Sequence, residues 1–75
     1  MNINANDSYL ELNLPKYLQH SIKQWLEGQR KVAAGDRYYG YDMDWDELNA
    51  DIGIARSNDE ISEKQADYLR QKYLL

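Results

Sequence analysis

The chain has 75 residues, 13 of them acidic and nine basic, and a formal net charge of -4. That charge balance opposes direct binding to nucleic acid. The lack of cysteine excludes disulfides and thiolate metal sites. No apolar run approaches the roughly 20 residues that span a bilayer. We therefore expect one soluble, cytoplasmic domain over residues 1–75, with a small core that buries about 60% of the surface of the unfolded chain.

The first element in chain order is an N-terminal segment, residues 9–14. Its leucines alternate with polar residues, as in a strand. Because a lone strand has no partner in this chain, we expect an extended or short-turn segment that lays its leucines over the helices.

Helix one is predicted over residues 15–34, with Pro15 in its first turn and Gly35 as its left-handed stop. Gly28 costs up to about 1 kcal/mol relative to alanine, so the last turns are expected to fray or kink. Four apolar residues recur at the spacing of an amphipathic helix: Leu18, Ile22, Trp25 and Leu26.

Helix two is predicted to begin at Asp44, which with Glu47 forms an acidic variant of the capping box. Met43 and Leu48 are placed as a hydrophobic staple around that box. The core stripe of this helix is Trp45, Leu48, Ile52 and Ala55.

Helix two should end at Ser57 or Asn58, and helix three then begins with a capping box formed by Ser62 and Gln65. The staple positions and core stripe of helix three are Ile61, Ala66, Leu69 and Tyr73. Together the elements predict an all-α fold, a small three-helix bundle with a Tyr-rich loop between helices one and two.

The acidity is concentrated in residues 36–67, which hold ten acids and three bases, a net charge of -7. This stretch begins with the Tyr-rich loop, residues 36–43, and interleaves aromatic rings with carboxylates. Rings anchor protein interfaces, and acids speed encounter with a basic surface. Alternatively, the tyrosines cap a small core with their hydroxyls outward. The candidate partner-binding residues are Tyr38, Tyr39, Tyr41, Asp42, Asp44, Trp45, Asp46, Glu47 and Asp51.

The sequence predicts no catalytic, metal or cofactor site. His20 and Ser21 are neighbours and point about 100° apart on a helix, so they cannot form a nucleophile–base pair there. The alternating acids from Asp42 resemble the start of a calcium loop, but Gly53 stands where that loop needs a glutamate. The face of Asp44, Glu47 and Asp51 allows a weak cation site, although a solvated acidic face is the simpler interpretation.

The last fifth of the chain, "EIS..QA.YLR.KYL", resembles small accessory proteins from mobile elements of Gram-positive bacteria or phages. It carries no catalytic residue to transfer. The resemblance implies a setting in which short acidic proteins antagonise host defence, including anti-CRISPR and DNA-mimic antirestriction proteins. The matching residues are Glu60, Ile61, Ser62, Gln65, Ala66, Tyr68, Leu69, Arg70, Lys72, Tyr73 and Leu74.

The leading functional hypothesis is a non-enzymatic interaction protein that docks on a basic protein surface, such as that of a nucleic-acid-binding host protein. By analogy with the resembling proteins, it would be an anti-defence inhibitor. The alternative is a structural or assembly protein that forms a homodimer through its helix faces to enlarge a marginal core.

Overall fold

The computed structural model describes residues 9–38 and 40–75. A short 3₁₀ turn at residues 9–11 precedes the helices, and no strand occurs within the described ranges. The helices are α1, Lys16–Ala33, α2, Tyr41–Ser57, and α3, Glu63–Leu69, which continues into a π-helical turn, Arg70–Leu74. The predicted all-α three-helix fold with a short-turn N-terminal segment is therefore confirmed.

The ends of α1 follow from a proline and a glycine. Pro15 caps the helix with φ -56° and ψ 148°, so α1 begins one residue later than predicted. At the other end Gly35 adopts φ +88°, and its N–H donates to the Val32 carbonyl at 3.1 Å. The N–H of Asp36 donates to the Lys31 carbonyl at 3.0 Å, which completes a Schellman motif.

The start of α2 differs from the prediction by one turn. The backbone N–H of Asp44 donates to the Gly40 carbonyl at 2.9 Å, and Gly40, which makes no side-chain cap, is the N-cap. The predicted capping box of Asp44 and Glu47 is therefore wrong. The side chain of Met43 is 73% exposed, so the predicted staple to Leu48 does not form either. Asp44 instead lies within the helix, where its carboxylate accepts tertiary hydrogen bonds from Gln24 and Tyr38.

The turn that ends α2 is a second Schellman motif, built without glycine. Asp59 adopts φ +58°, a left-handed conformation that aspartate tolerates better than most residues. Its N–H donates to the Arg56 carbonyl at 3.1 Å, and the N–H of Glu60 donates to the Ala55 carbonyl at 2.8 Å. The helix therefore ends at Ser57, as predicted.

The capping box of α3 is confirmed atom by atom. The Gln65 N–H donates to Ser62 Oγ at 3.0 Å, and the Ser62 N–H donates to Gln65 Oε1 at 2.8 Å. The same Gln65 amide donates through Nε2 to the Leu10 carbonyl at 3.1 Å. One side chain thus caps α3 and holds the N-terminal turn against it.

The core lies where α1, α2 and α3 meet, and the N-terminal segment covers it with Leu10 and Leu14, both buried. Leu12 points to solvent, and so does Leu26, whose predicted place in the core stripe is wrong because it lies about 100° around α1 from buried Trp25. The largest fully buried side chains are Leu18, Leu48, Ile52 and Leu69.

The π-helical turn is held by two indoles. Trp25 Nε1 donates to the Tyr73 carbonyl at 2.8 Å, and Trp45 Nε1 lies within hydrogen-bonding distance of the Leu74 carbonyl at 3.4 Å. The last carbonyls of a helix have no donor within that helix. The two tryptophans supply donors from α1 and α2, and so fasten the C-terminal turn to both.

Glu11 fastens the C-terminal turn to the N-terminal segment. Its carboxylate accepts hydrogen bonds from the ammonium of Lys72, at 2.7 Å, and from the hydroxyl of Tyr73. Burial raises the pKa of Glu11, but the hydrogen bonds and the Lys72 charge together lower it below its usual range. Burial and the bond to Glu11 raise the pKa of Tyr73 to about 12.

We expect Glu11→Gln to lower the free energy of unfolding at pH 7 by roughly 1 to 2 kcal/mol, because charge-assisted hydrogen bonds become neutral ones. Since the folded-state pKa of Glu11 is depressed, its contribution is present above its unfolded pKa, near 4.5, and is lost as the pH falls through the folded value. In urea unfolding, the difference in free energy of unfolding between wild type and variant should therefore be larger at pH 7 than at pH 3. An equal difference at both pH values would contradict the linkage.

Candidate protein-binding surface

The outward side of α2 combines exposed carboxylates with exposed apolar side chains. The carboxylates of Asp42, Asp46 and Glu47 face solvent, and none of them forms an ion pair within the described part of the chain. Met43 is 73% exposed and Ile54 is 49% exposed. This surface, termed the acidic face, consists of Asp42, Met43, Asp46, Glu47, Ala50 and Ile54.

Helix periodicity places five of these six residues together, whereas Asp42, in the first turn of α2, lies about 100° from Met43. Each residue turns the helix by about 100°, so Ile54 lies within roughly 20° of Met43, and Asp46 and Glu47 lie to either side of that line. Ile52, which is completely buried, lies about 180° from Met43. The acidic face is therefore opposite the side of α2 that packs on the core.

A buried carboxylate fixes the start of α2 against α1. Asp44 is only 4% exposed, and its Oδ1 accepts a hydrogen bond from Gln24 Nε2 at 3.0 Å, while Oδ2 accepts one from the Tyr38 hydroxyl. The bond to Asp44, followed by burial, raises the pKa of Tyr38. Because both carboxylate oxygens of Asp44 accept hydrogen bonds, these bonds offset the free-energy cost of removing the carboxylate from water.

A second polar contact joins the two helices further along. The Ser21 hydroxyl, which is buried, donates to Asp51 Oδ2 and also lies 3.1 Å from the Tyr17 carbonyl. Residues 21 and 24 of α1 thus meet residues 51 and 44 of α2, so the two helices run antiparallel. These contacts determine how α2 is rotated, and therefore which of its residues face solvent.

The rings of Tyr41 and Trp45, both in the candidate set, pack against the core. The ring centroids of Tyr41 and Trp25 lie 4.8 Å apart with a tilt of 41°, within the range of favourable aromatic pairs. Trp45 is half-buried against the core and directs its N–H toward the C-terminal turn. These rings anchor α2 to its own domain.

The nine predicted partner-binding residues therefore separate into groups. Three exposed carboxylates lie on the acidic face: Asp42, Asp46 and Glu47. Five are engaged in internal contacts: Tyr38, Tyr41, Asp44, Trp45 and Asp51. Tyr39 lies outside the described residues. The connection between α1 and α2 spans residues 34–40, so Tyr41 belongs to the helix and not to the predicted loop.

Met43 and Ile54 were not among the predicted residues of the candidate surface. Their signal was present, because they recur at i and i+11 with Ala50 at i+7, on the side opposite Leu48 and Ile52. This spacing was not recognised because helix two was predicted to begin at Asp44. Met43 then lay outside the helix, in the position of a staple.

The chemistry available to catalysis is limited in the described ranges. Ser21 is bonded to Asp51, and no hydrogen bond joins Ser21 to the exposed His20. Between residues 9–38 and 40–75, no three histidine, aspartate or glutamate side chains lie close enough to share a metal ion. In that same part of the chain, no helix has both the length and the apolarity needed to cross a membrane.

No known protein family, curated protein or solved structure matches the chain significantly.

Proposed function

We propose that this protein is a non-enzymatic interaction protein that docks through the acidic face on a basic surface of another protein. The observation that carries the proposal is the exposure of Asp42, Asp46 and Glu47 around Met43, which is itself 73% exposed. Carboxylates around an apolar contact combine long-range attraction with a site that excludes water on binding.

The internal contacts of α2 favour binding. Its inward side is held by the Asp44 contacts to Tyr38 and Gln24, and by the ring of Tyr41 on Trp25. A surface that is already ordered loses less conformational entropy when a partner binds. The internal tyrosines and Trp45 thereby contribute to recognition indirectly, by presenting the carboxylates in a fixed pattern.

The charge of the surface determines the kind of partner. Unpaired carboxylates repel the phosphates of nucleic acid and attract lysine and arginine. Proteins that bind nucleic acid carry clustered basic residues, so they are the class that best fits this surface. An inhibitor of a nucleic-acid-dependent defence protein would meet this description.

We expect the triple variant Asp42→Lys, Asp46→Lys, Glu47→Lys to lose capture of basic partners from a bacterial lysate. Wild-type capture should weaken as salt rises from about 50 to 500 mM, because exposed charges are then screened. With a partner identified, the association rate of the triple variant should fall by on the order of tenfold or more at low salt. Tagged pull-downs with mass spectrometry, followed by surface plasmon resonance, measure both.

The matched control is Asp36→Lys, Glu63→Lys, Asp67→Lys, which changes the net charge equally at exposed acids outside the acidic face. This control should retain most of the capture. An equal loss of capture in both variants would show that capture depends on net charge alone, and would contradict the proposed docking surface. Unchanged capture in the acidic-face variant would refute the proposed docking surface.

A second candidate function is a homodimeric assembly protein, favoured by the exposed apolar side chains of Leu26 and Val32 on α1. These residues lie on a different helix from the acidic face, so the two functions use separate surfaces. Light scattering on the same samples tests the dimer, because a mass of 8.9 kDa at every concentration would exclude an obligate homodimer.

A further inference from the structure

A cleft of about 370 Å³ opens on the flank of α1, beside the connection to α2. Its volume lies within the range of small-molecule sites in proteins. The cleft is separate from the acidic face, and two of its lining residues, Lys23 and Lys31, are cations. Its one carboxylate, Glu27, is paired with the Arg30 guanidinium.

The two lysines lie about one helical turn to either side of Glu27, and the charges of both help to lower the pKa of its carboxyl group. No ion pair joins Lys23 or Lys31 to a carboxylate of the described residues. They are eight residues apart, so their backbones are separated by about 12 Å along the helix axis, and their flexible four-carbon side chains can converge on a ligand between them. Gln24 also lines the cleft, and its Nε2 donates to Asp44 Oδ1 at 3.0 Å.

The opposite wall of the cleft is a fixed aromatic ring. The Tyr38 hydroxyl is bonded to buried Asp44, and the Lys31 ammonium lies 4.8 Å from the centroid of the Tyr38 ring. This cation–π contact holds the Lys31 charge over the cleft rather than in bulk solvent. Gly28, without a side chain, lets this wall approach α1 closely, because a Cβ there would lie 2.8 Å from Tyr38 Cε2 and 2.9 Å from Asp44 Oδ2.

We infer that this cleft binds a small molecule carrying at least two phosphate groups. Lysine is a point charge that binds phosphate from many directions, and a phosphate group carries more negative charge than a carboxylate, so Lys23 and Lys31 favour phosphate. Two separated ammonium groups match two linked phosphates better than a single one. The site goes beyond the proposed docking function and uses a different part of the molecule.

The test is a titration of the ¹⁵N-labelled protein with sodium pyrophosphate, followed by amide chemical shifts, with sodium chloride at matched ionic strength as the reference. We expect saturable binding with a dissociation constant near or below about 1 mM. Lys23→Gln and Lys31→Gln should each weaken it by roughly five- to tenfold, since each removes one charged contact. Lys16→Gln removes the same charge from an exposed position of α1 outside the cleft and should change the affinity less than about twofold.

Shift changes centred on residues 20–31 and Tyr38 would support the assignment. Absence of saturation, or an equal loss of affinity in the Lys16 variant, would overturn it, because either result indicates unspecific attraction. The same titration with succinate tests a dicarboxylate. If succinate binds as tightly as pyrophosphate, the assignment to phosphate is overturned. None of these outcomes depends on the acidic face, so the cleft and the docking surface fail separately.

Discussion

Ile52→Ala is expected to lower the free energy of unfolding by about 2 to 5 kcal/mol. The side chain of Ile52 is completely buried, on the side of the helix that packs against the rest of the core. Removing its outer carbons forfeits their transfer free energy and leaves a cavity. Because domains of this kind are stable by only about 5 to 15 kcal/mol, urea unfolding should show a much lower midpoint.

Ile54 is the matched control, since it is the same residue type two positions along the same helix. It is 49% exposed and lies on the acidic face. Ile54→Ala should change stability by less than about 0.5 kcal/mol, as surface substitutions usually do. It should instead weaken partner binding, because an exposed apolar side chain of a docking surface becomes buried there. Comparable destabilisation by both substitutions would contradict the rotation of α2 on which the acidic face depends.

The parts of the fold that the sequence predicted correctly are those determined by neighbours along the chain. The box of Ser62 and Gln65 closes within four residues, and the stop at Gly35 needs only its own left-handed conformation. In both places the local preference is compatible with the tertiary packing. Agreement of that kind makes local patterns reliable.

Asp44 shows where local reasoning fails. By spacing it is an acceptable N-cap, and the prediction of the start of helix two followed from that. Its actual partners are Gln24, 20 residues earlier, and Tyr38, which lies outside α2. The free energy of satisfying a buried carboxylate exceeds that of a cap on an exposed turn, so the tertiary contacts determine its position.

The candidate surface was partly predictable for the same reason. Asp42, Asp46 and Glu47 could be found by charge alone, and they are exposed. The tyrosines and Trp45 could not be separated into inner and outer residues, because amphipathic rings suit either environment. The π-helical turn Arg70–Leu74 has no local signal, and its carbonyls are held by indoles 29 and 48 residues away along the chain.

Gly28→Ala is expected to destabilise the protein by roughly 1 to 3 kcal/mol, although alanine favours a helix over glycine by about 1 kcal/mol. A Cβ at this position would lie 2.8 Å from Tyr38 Cε2 and 2.9 Å from Asp44 Oδ2. Neither atom can move freely, because Tyr38 and Asp44 are bonded to each other and Asp44 is buried. Relieving the contact would break that bond and leave a buried carboxylate oxygen without its donor.

Gly53 provides the control, because it is a glycine within α2 where an added Cβ would meet only Arg70 Nη2, at 3.6 Å. That distance is ordinary van der Waals contact, so Gly53→Ala should raise the free energy of unfolding by up to about 1 kcal/mol through helix propensity. The two substitutions, identical in chemistry, should thus have opposite signs in urea unfolding followed by tryptophan fluorescence. If both stabilise the protein, then Tyr38 and Asp44 do not pack against α1. Helix propensity alone predicts the same sign for both, so a difference in sign reports the close approach of the Tyr38 ring and Asp44 at Gly28.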